Sequence, residues 1–337
     1  MSSRSKPLAN NRLREIVNSF PRARVAVLGD LVADEFVYGE ISRVSREAPV
    51  LILKHRERTI LPGGGANAIY NLADLGAKVL PVGVVGDDEA GRSLLERFRG
   101  KKIPVTGIVI AKGHTTVTKT RILAGMTHTS RQQVVRVDRE PEKALSPEVE
   151  SQLTQAAHKF LDKADALLIS DYGYGAATPT LFDTLRANSS LNGMPVALDS
   201  RYRMLEYQGI TAATPNEPEV EEALRIRISS EGEGLYAAGK DLLARMKLES
   251  LVITRGRDGM VAFSRGKKPV EIPIHGSDQV ADVTGAGDTV IATYTAALAV
   301  GADAESAARL ANYAGGIVVM KRGTATVTRA ELLAALK

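Results

Sequence analysis

Short apolar runs alternate with longer helical patterns along this 337-residue chain. The runs typical of buried strands lie at residues 25–28, 79–85, 166–169, 196–198 and 251–254. The patterns typical of helices lie at residues 65–75, 88–98, 147–161, 179–187, 218–225, 235–246, 287–300 and 304–321. This alternation favours an α/β fold with a mostly parallel central sheet and helices on both faces. We therefore predict a single α/β domain over residues 1–337.

Polar residues follow several of the predicted strands. They are Asp30, Asp171, Asp199 and Thr254. Ligands of open α/β sheets bind at the carboxyl ends of the strands, so we expect these residues to form the rim of a site.

Two segments, residues 36–58 and 105–137, interrupt the alternation. Both have the period-two character of strands, with no helix between their strands. We expect them to pair into a small β lid over the rim, where it would exclude water during a group transfer. A surface hairpin without a part in catalysis is the alternative.

Composition excludes several classes of site and partner. The chain has no cysteine, which excludes disulfides, thiolate catalysis and zinc-thiolate sites. Aromatic residues make up only 4% of the chain, and tryptophan is absent, which disfavours stacking of single-stranded nucleic acid. The basic residues behind the net charge of +5 are scattered, so we expect a small anionic substrate and no nucleic acid partner.

The sequence also lacks the signals of export or membrane insertion. Its N-terminal segment has no apolar run of the kind found in a secretory signal. The longest run poor in charge, residues 289–302, is shorter than the roughly 20 residues that span a bilayer. We expect a cytoplasmic protein with no membrane partner.

A glycine turn before the helix predicted at residues 287–300 is the strongest candidate for a site of chemistry. The backbone amides of Gly285, Ala286 and Gly287 can converge at the helix N-terminus, where the macrodipole favours an anion. Asp288 follows this predicted anion hole and can accept a proton from a hydroxyl group. An ordinary helix cap is the alternative, because aspartate is also a favoured capping residue.

A second glycine motif is a decoy. Residues 234–241 nearly match a phosphate-binding P-loop, but Asp241 replaces the serine or threonine that would bind Mg²⁺, and no strand precedes the motif. Its apolar residues recur on one helical face, so we interpret it as a helix.

Another glycine cluster, Gly63-Gly64-Gly65-Ala66-Asn67, is followed by Gly76 and Gly86. Together with residues 282–288, this cluster makes the sequence similar, over about residues 24–335, to the ribokinase or PfkB family of carbohydrate kinases. This similarity implies a ribokinase-like fold, ATP and Mg²⁺ as cofactors, and transfer of the γ-phosphoryl group to a sugar hydroxyl. It assigns Asp288 as the general base and residues 285–287 as the anion hole.

The resemblance also implies which residues bind the substrate. Its sugar contacts fall on Asp30, Asp34, Gly64, Gly65 and Asn67. Lys119 and Arg121 of the expected lid could pair with a phosphate group on the substrate, and a solvated strand face is the alternative for both.

For the metal and the nucleotide, the family's Asn-x-x-Glu element is matched by Asn216 and Glu219, which implies contact with Mg²⁺ and phosphate. A helix start with acidic residues in its first turn is the alternative. Nucleotide contacts are expected at Asn216, Thr254, Gly256, Gly259 and Asn312.

Within the family, the sequence resembles bacterial D-glycero-β-D-manno-heptose 7-phosphate kinases at residues 39–50, 281–293 and 315–328. This implies O1 of that sugar phosphate as the acceptor. A kinase for another sugar or phosphosugar, and a non-catalytic regulator that binds a sugar or nucleotide, are the alternatives.

Two positions depart from the heptose kinase pattern. Tyr174 stands where those kinases usually have lysine, and Ser200-Arg201 stands where they favour Pro-Lys. Many of them carry a nucleotidyltransferase domain, which we do not expect here. We expect a homodimer through the lid if the outer surface of the lid is apolar.

Overall fold

The computed structural model describes residues 5–125, 131–188, 191, 193–229, 234–276, 282–321 and 323–337. The helices in this part of the chain are α1 (Ser5–Ser19), α2 (Gly65–Asp74), α3 (Glu89–Gly100), α4 (Pro147–Leu161), α5 (Pro179–Asn188), α6 (Glu217–Leu224), α7 (Leu235–Arg245), α8 (Ala286–Ala299), α9 (Ala304–Val318) and α10 (Arg329–Ala335). The strands are β1 (Arg24–Gly29), β2 (Leu31–Val44), β3 (Leu51–Gly64), β4 (Lys78–Gly86), β5 (Ile108–Ala111), β6 (Thr118–Gly125), β7 (Gln132–Arg139), β8 (Ala166–Asp171), β9 (Val196–Ser200), β10 (Ala212–Ala213), β11 (Ser250–Thr254), β12 (Met260–Ser264) and β13 (Val270–Ile272).

Nine of these strands form a large sheet in the order β13-β12-β11-β10-β9-β8-β1-β4-β5. The neighbouring pairs from β11 to β5 are parallel, whereas β12 and β13 add antiparallel strands at one edge. The order of the sheet reverses at β1, which has β4 on one side and β8 on the other. Such a reversal opens a crevice at the carboxyl ends of the strands, where ligands of these sheets bind.

Both faces of the large sheet are covered, and its side chains alternate between two apolar cores. In β1, Val25 and Val27 belong to one core, and Ala26 and Leu28 belong to the other. The first core also contains buried residues of α1, α2, α3, α8, α9 and α10, and the second contains those of α4, α5, α6 and α7. Strands buried on both faces are continuously apolar in sequence, which is why the pattern predicted them. The predicted architecture is confirmed, and residues 235–245 form a helix as expected.

A second sheet has four strands in the order β3-β2-β6-β7. Because β2 starts at Leu31, two residues after β1 ends, this sheet begins at the carboxyl end of β1. Its strands occupy residues 31–64 and 118–139, rather than the predicted 36–58 and 105–137, and residues 126–130 of the second prediction lie outside the described residues. Residues 108–111 form β5 of the large sheet, because they pair in parallel with β4.

Two further observations bear on the expectations about partners. On β7, Val134, Val135 and Val137 are exposed, so this edge of the second sheet is partly apolar. In the described part of the chain, no helix has the length and apolar character needed to cross a membrane.

Candidate active site

Asp288 lies in the first turn of α8 and is only 3% exposed. Its Oδ1 accepts a hydrogen bond from the Tyr172 hydroxyl at 2.7 Å, and its Oδ2 accepts one from Asn67 Nδ2 at 2.9 Å. Tyr172 directly follows β8 and Asn67 lies in α2, so three distant segments of the sequence meet at one carboxylate.

Burial raises the pKa of Asp288 to about 7, because its ionised form is poorly solvated. The hydrogen bonds from Asn67 and Tyr172 act in the opposite direction, since they stabilise the ionised form. A carboxylate with a pKa near neutrality can both take up and release a proton at physiological pH, as a general base must.

Glycine is required at one of the two glycine positions before Asp288. Gly285 has φ +78°, and a Cβ atom there would lie 2.5 Å from Asn67 Nδ2. At Gly287, a Cβ atom would meet nothing within 4 Å, so this residue leaves open space in front of α8.

The amides at this turn differ from the prediction at one position. The backbone N–H of Ala286 donates to the carbonyl of Val283 at 3.2 Å, which engages one of the three predicted amides. Among the described residues, no acceptor is found for the amides of Gly285, Gly287 and Asp288. Three free N–H groups therefore remain at the N-terminus of α8, where an anion is favoured.

A cavity of about 440 Å³ opens in front of this turn. It lies at the carboxyl ends of β8, β9, β10 and β11, as the polar residues after the strands predict. Its lining consists of Asp171, Tyr172, Asp199, Arg201, Thr214, Asn216, Pro218, Glu219, Glu222, Thr254, Val283, Gly285, Gly287 and Asp288.

Two carboxylates of the cavity, Asp199 and Glu219, have raised pKa values. Burial is the main cause for both, and the charge of Glu219 raises the pKa of Asp199 further. In the described part of the chain, no hydrogen bond or ion pair is found for the Asp199 side chain. Arg201 acts in the opposite direction on Glu219, since its charge lowers that pKa. Two half-buried carboxylates beside one another suit Mg²⁺, which prefers oxygen ligands and keeps several waters. No group of three or more acidic, histidine or cysteine side chains with the arrangement of a metal site occurs in the described residues, so protein ligands alone would not complete its coordination.

Asn216 both begins a helix and lines the cavity, so the two interpretations of the Asn-x-x-Glu element are compatible. Its Oδ1 accepts from the amide of Glu219 at 2.9 Å, and Glu219 Oε2 accepts from the amide of Asn216 at 2.9 Å, which makes a capping box for α6. The same two residues line the cavity. The helix start is therefore real, and it holds Glu219 at the cavity wall.

On the second sheet, Asp34 is buried, its charge raises the pKa of Asp288, and its carboxylate already has two partners. Its Oδ1 accepts from Arg121 Nη1 at 2.6 Å, and its Oδ2 accepts from the Thr324 hydroxyl at 2.9 Å. A Cβ atom at Gly63 would lie 2.4 Å from Asp34 Oδ2, so glycine at that position makes room for the carboxylate. Arg121 is thus held in a buried ion pair with Asp34.

Asp30 binds the backbone of the loop that follows β8. Its carboxylate accepts hydrogen bonds from the amides of Tyr172, Tyr174 and Ala176 at 2.8, 2.9 and 2.8 Å. Burial raises its pKa to about 6, although these three bonds lower it. Asp30 does not line the cavity and instead holds the loop that carries Tyr172. These contacts give Asp30 a positioning role, and its predicted contact with the sugar stays a prediction.

Gly64 and Gly65 allow α2 to approach the end of β1 closely. Gly64 has φ +53°, and a Cβ atom at Gly65 would lie 2.9 Å from the carbonyl oxygen of Asp30. Neither glycine lines the cavity, so their observed contribution is to place Asn67 beside Asp288.

The predicted nucleotide residues separate into two groups. Thr254 lines the cavity and pairs with Asn216 in an isolated β-bridge. Gly256, Gly259 and Asn312 do not line it. A Cβ atom at Gly259 would lie 2.2 Å from the Ile272 carbonyl, and Asn312 Nδ2 donates to the Pro273 carbonyl at 2.8 Å, so both stabilise packing around β13.

The sequence interpretation did not single out Tyr172 and Thr324 as site residues. Tyr172 directly follows the strand-end residue Asp171, and this position in the sequence could have indicated a site residue. Thr324 lies in the segment 315–328, but nothing local indicates that it bonds to Asp34.

Comparison with known proteins identifies the family. Residues 22–331 match the model described as pfkB family carbohydrate kinase. The chain is 42% identical over 311 residues to the Bifunctional protein HldE of Geobacter sulfurreducens, which covers 92% of this chain and 62% of that protein. It is 38% identical over 322 residues to the Bifunctional protein HldE of Desulfatibacillum aliphaticivorans, which covers 95% of this chain and 64% of that protein. The chain thus spans less than two thirds of the length of these relatives.

Solved structures establish the fold. Phosphofructokinase-2 from Escherichia coli in complex with potassium superposes with a TM-score of 0.74 at 15% identity, over 93% of this chain and 98% of that one. Arabidopsis thaliana ribokinase complexed with ribose and ATP superposes with a TM-score of 0.70 at 21% identity, over 94% of this chain and 98% of that one. The fold is ribokinase-like, as the sequence predicted. Since the family match extends over residues 22–331, the chain belongs to the pfkB family of carbohydrate kinases, which are phosphotransferases with an alcohol group as acceptor.

Proposed function

We propose that this chain transfers the γ-phosphoryl group of Mg-ATP to O1 of D-glycero-β-D-manno-heptose 7-phosphate. The observation that carries the reaction type is Asp288, a buried carboxylate with a pKa of about 7 beside the free amides of α8. The heptose acceptor is supported by the resemblance to heptose 7-phosphate kinases and by the HldE relatives at 42% and 38% identity. The proposal concerns only the part of those relatives that this chain matches.

In the proposed reaction, the acceptor hydroxyl gives its proton to Asp288 as its oxygen forms a bond to the γ-phosphorus. The bond from that phosphorus to the β,γ-bridging oxygen breaks, and ADP leaves. The amides of Gly285, Gly287 and Asp288 would stabilise the charge on the transferring phosphoryl group. Tyr172 and Asn67 keep the carboxylate oriented while the proton moves.

Asp199 and Glu219, with Asn216, would hold Mg²⁺ in the same cavity as Asp288. When bound there, the ion neutralises negative charge on the phosphates. The raised pKa values of both carboxylates support this assignment, because a cation would relieve their repulsion. Thr254 would contact the nucleotide.

The four-stranded sheet would act as a lid on this single kinase domain. Asp34 and Lys119 pair in register on β2 and β6, and both are buried. The charge of Asp34 raises the pKa of Asp288, and that of Lys119 lowers it. A sheet in this position would exclude water from the phosphoryl transfer.

We further propose that a second copy of the chain covers the exposed valines of β7, which light scattering on the purified protein would test.

The acceptor assignment is tested by release of ADP from Mg-ATP with a panel of acceptors. The panel contains heptose 7-phosphate, sedoheptulose 7-phosphate, fructose 6-phosphate, fructose, ribose and nucleosides. We expect the highest kcat/KM with heptose 7-phosphate. A higher kcat/KM with any other acceptor would overturn the heptose assignment, and no turnover with any of them would overturn the proposed reaction.

A further inference from the structure

Lys119 in β6 has its ammonium group close to two tyrosine rings. Its Nζ lies 5.2 Å from the ring centroid of Tyr172 and 5.6 Å from that of Tyr174, and the residue is only 7% exposed. Both distances are within the range of a cation–π interaction. We call these three residues the Lys119 cluster.

Lys119 differs from the basic residues near it, each of which pairs with a carboxylate. Arg121 pairs with Asp34, Arg136 Nε donates to Asp138 at 2.7 Å, and Arg203 pairs with Asp171. Among the described residues, no hydrogen bond or ion pair is found for the Lys119 ammonium group. A buried ammonium without an acceptor is poorly solvated, so an anionic ligand would stabilise it.

The electrostatic surroundings support this. Burial lowers the pKa of Lys119, and so do Arg201 and Arg136, while Asp34 and Asp138 raise it. Since Asp34 and Asp138 are each bonded to an arginine, they do not neutralise the lysine fully. The cluster therefore has positive charge available for a ligand.

Tyr172 sets the spacing between this charge and the candidate base. Its hydroxyl bonds to Asp288, whereas its ring faces the Lys119 ammonium. A ligand that lies along Tyr172 would have one end at Asp288 and the other at Lys119. A sugar with a hydroxyl at one end and a phosphate at the other has this arrangement.

We propose that Lys119 binds a phosphate group of the acceptor, at the end remote from the reacting hydroxyl, and that Tyr174 is a positioning residue for its ammonium group. The inference rests on the proposed kinase function and commits the acceptor to the class of sugar phosphates. Tyr174 stands where heptose kinases usually have lysine, so this position carries no cation here. Its aromatic ring instead contacts the ammonium group of Lys119 in β6. The Tyr174 hydroxyl donates to Glu140 Oε1 at 3.1 Å, which fixes the ring.

The test compares acceptors that differ only by the phosphate. Binding by calorimetry and kcat/KM are measured for heptose 7-phosphate and heptose, and for the corresponding pairs of sedoheptulose, fructose and ribose. The proteins are the wild type, Lys119→Met, Lys119→Arg, Tyr174→Leu and Tyr174→Phe. Lys54→Met is the matched control, because Lys54 is an exposed lysine of the same sheet.

We expect the wild type to prefer the phosphorylated member of its best pair. Lys119→Met should reduce this preference by about 10- to 100-fold, the range for a lost charge-assisted hydrogen bond, with little change for the unphosphorylated sugar. Lys119→Arg should restore part of the preference, since it retains the charge. Lys54→Met should leave it unchanged.

Tyr174→Leu should reduce the preference by about 3- to 10-fold, the range for a cation–π contact, whereas Tyr174→Phe keeps the ring and should retain it. Added to Lys119→Met, Tyr174→Leu should have no further effect on the preference, because its effect acts through the lysine. A purely structural role for Tyr174 would lower activity equally with both members of a pair.

The outcomes separate this inference from the proposed function. Tighter binding of a phosphorylated sugar, lost in Lys119→Met, would support the inference even if no turnover followed and the kinase proposal failed. Turnover with no preference for a phosphorylated acceptor in any pair would overturn the inference and leave the kinase proposal standing. An equal loss with both members of a pair in Lys119→Met would also overturn it, because the lysine would then act elsewhere.

Discussion

The hydroxyl of Tyr172 lies 2.7 Å from Oδ1 of Asp288, so a phenol that follows β8 orients a carboxylate in the first turn of α8. Tyr172 is itself held by Asp30, whose carboxylate accepts from the Tyr172 amide. Asp30 therefore helps to orient Asp288 through Tyr172. Asp30 directly follows β1, where the order of the large sheet reverses.

This contact predicts how activity depends on pH. The pKa of Asp288 is about 7, and only its ionised form can accept a proton, so kcat/KM of the wild type should rise as the pH increases through about 7. In Tyr172→Phe, a hydrogen bond that lowers this pKa is lost. The rise should then move to higher pH by about 1 unit.

The measurement is kcat/KM between about pH 5.5 and 9, the range that brackets a base with a pKa near neutrality. Tyr202→Phe is the control, since Tyr202 is exposed and does not bond to Asp288. A profile for Tyr172→Phe that coincides with the wild-type profile would contradict the role given to the hydroxyl.

The same pKa predicts that the candidate base destabilises the fold. The pKa of Asp288 is about 7 in the folded protein, against a reference value of 3.8. The folded state therefore holds a proton that the unfolded state releases between these values, so stability is lost as the pH rises through that window.

Asp288→Asn should consequently be more stable than the wild type, by about 4 kcal/mol at most above pH 7 and by less at pH 5. Urea unfolding at pH 5 and pH 8 measures the difference. A variant less stable than the wild type at pH 8, or a difference independent of pH, would contradict the raised pKa.

Substitution by alanine should have different effects at the two glycines of the turn before Asp288. Gly287→Ala adds a methyl group where nothing lies within 4 Å, so the fold should tolerate it, but the methyl group would occupy the space in front of the free amides. We expect unchanged thermal stability and a loss of kcat of about 10-fold or more, as when an anion-stabilising donor is obstructed.

Gly285→Ala should instead destabilise the protein, because its φ is +78° and the added atom would lie 2.5 Å from Asn67 Nδ2. We expect a loss of about 1–3 kcal/mol from the strained backbone alone. Gly100→Ala, at an open position of α3, is the control for both variants. Equal stabilities of the variants at 285 and 287 would contradict this description of the turn.

Sequence reasoning predicted the parts of the fold that depend on local periodicity. The strands at β1, β4, β8, β9 and β11 were predicted because burial on both faces leaves a continuous apolar run. Helices α1 and α10 were missed, because few of their side chains that the structure describes are buried, among them Leu13, Val17 and Leu332. The two-residue strand β10 and the short strand β13 have too few residues to show a period.

For the site, the sequence predicted which segments meet but not how their side chains are paired. Asp30 and Asp34 lie four residues apart, but their partners differ. Asp30 accepts from the amides of the loop after β8, and Asp34 accepts from Arg121 and Thr324, which only the structure shows. The contact of Tyr172 with Asp288 joins residues 116 positions apart, which no local pattern encodes.

The acidic wall of the cavity predicts how activity responds to metal. If Asp199 and Glu219 hold Mg²⁺, chelation should abolish turnover, and added Mg²⁺ should restore it. Asp199→Asn and Glu219→Gln should each raise the Mg²⁺ concentration for half-maximal activity, by about 10-fold or more for the loss of one charged oxygen ligand.

A titration of initial rate against Mg²⁺ at saturating ATP measures this shift. Glu305→Gln is the control, because Glu305 lies in α9 and pairs with Arg309 away from the cavity. If the variants at 199 and 219 kept the wild-type Mg²⁺ requirement, the assignment of Mg²⁺ to these two carboxylates would be wrong.

The central claim is that Asp288 accepts the proton during phosphoryl transfer. The most direct measurement is the rate of ADP release from Mg-ATP and heptose 7-phosphate by the wild type and by Asp288→Asn, together with the nucleotide affinity of both by calorimetry. We predict a loss of kcat of about 10²- to 10⁴-fold in Asp288→Asn with nearly unchanged nucleotide affinity, because asparagine preserves the shape of the side chain but cannot accept the proton. Wild-type turnover by Asp288→Asn would contradict the account.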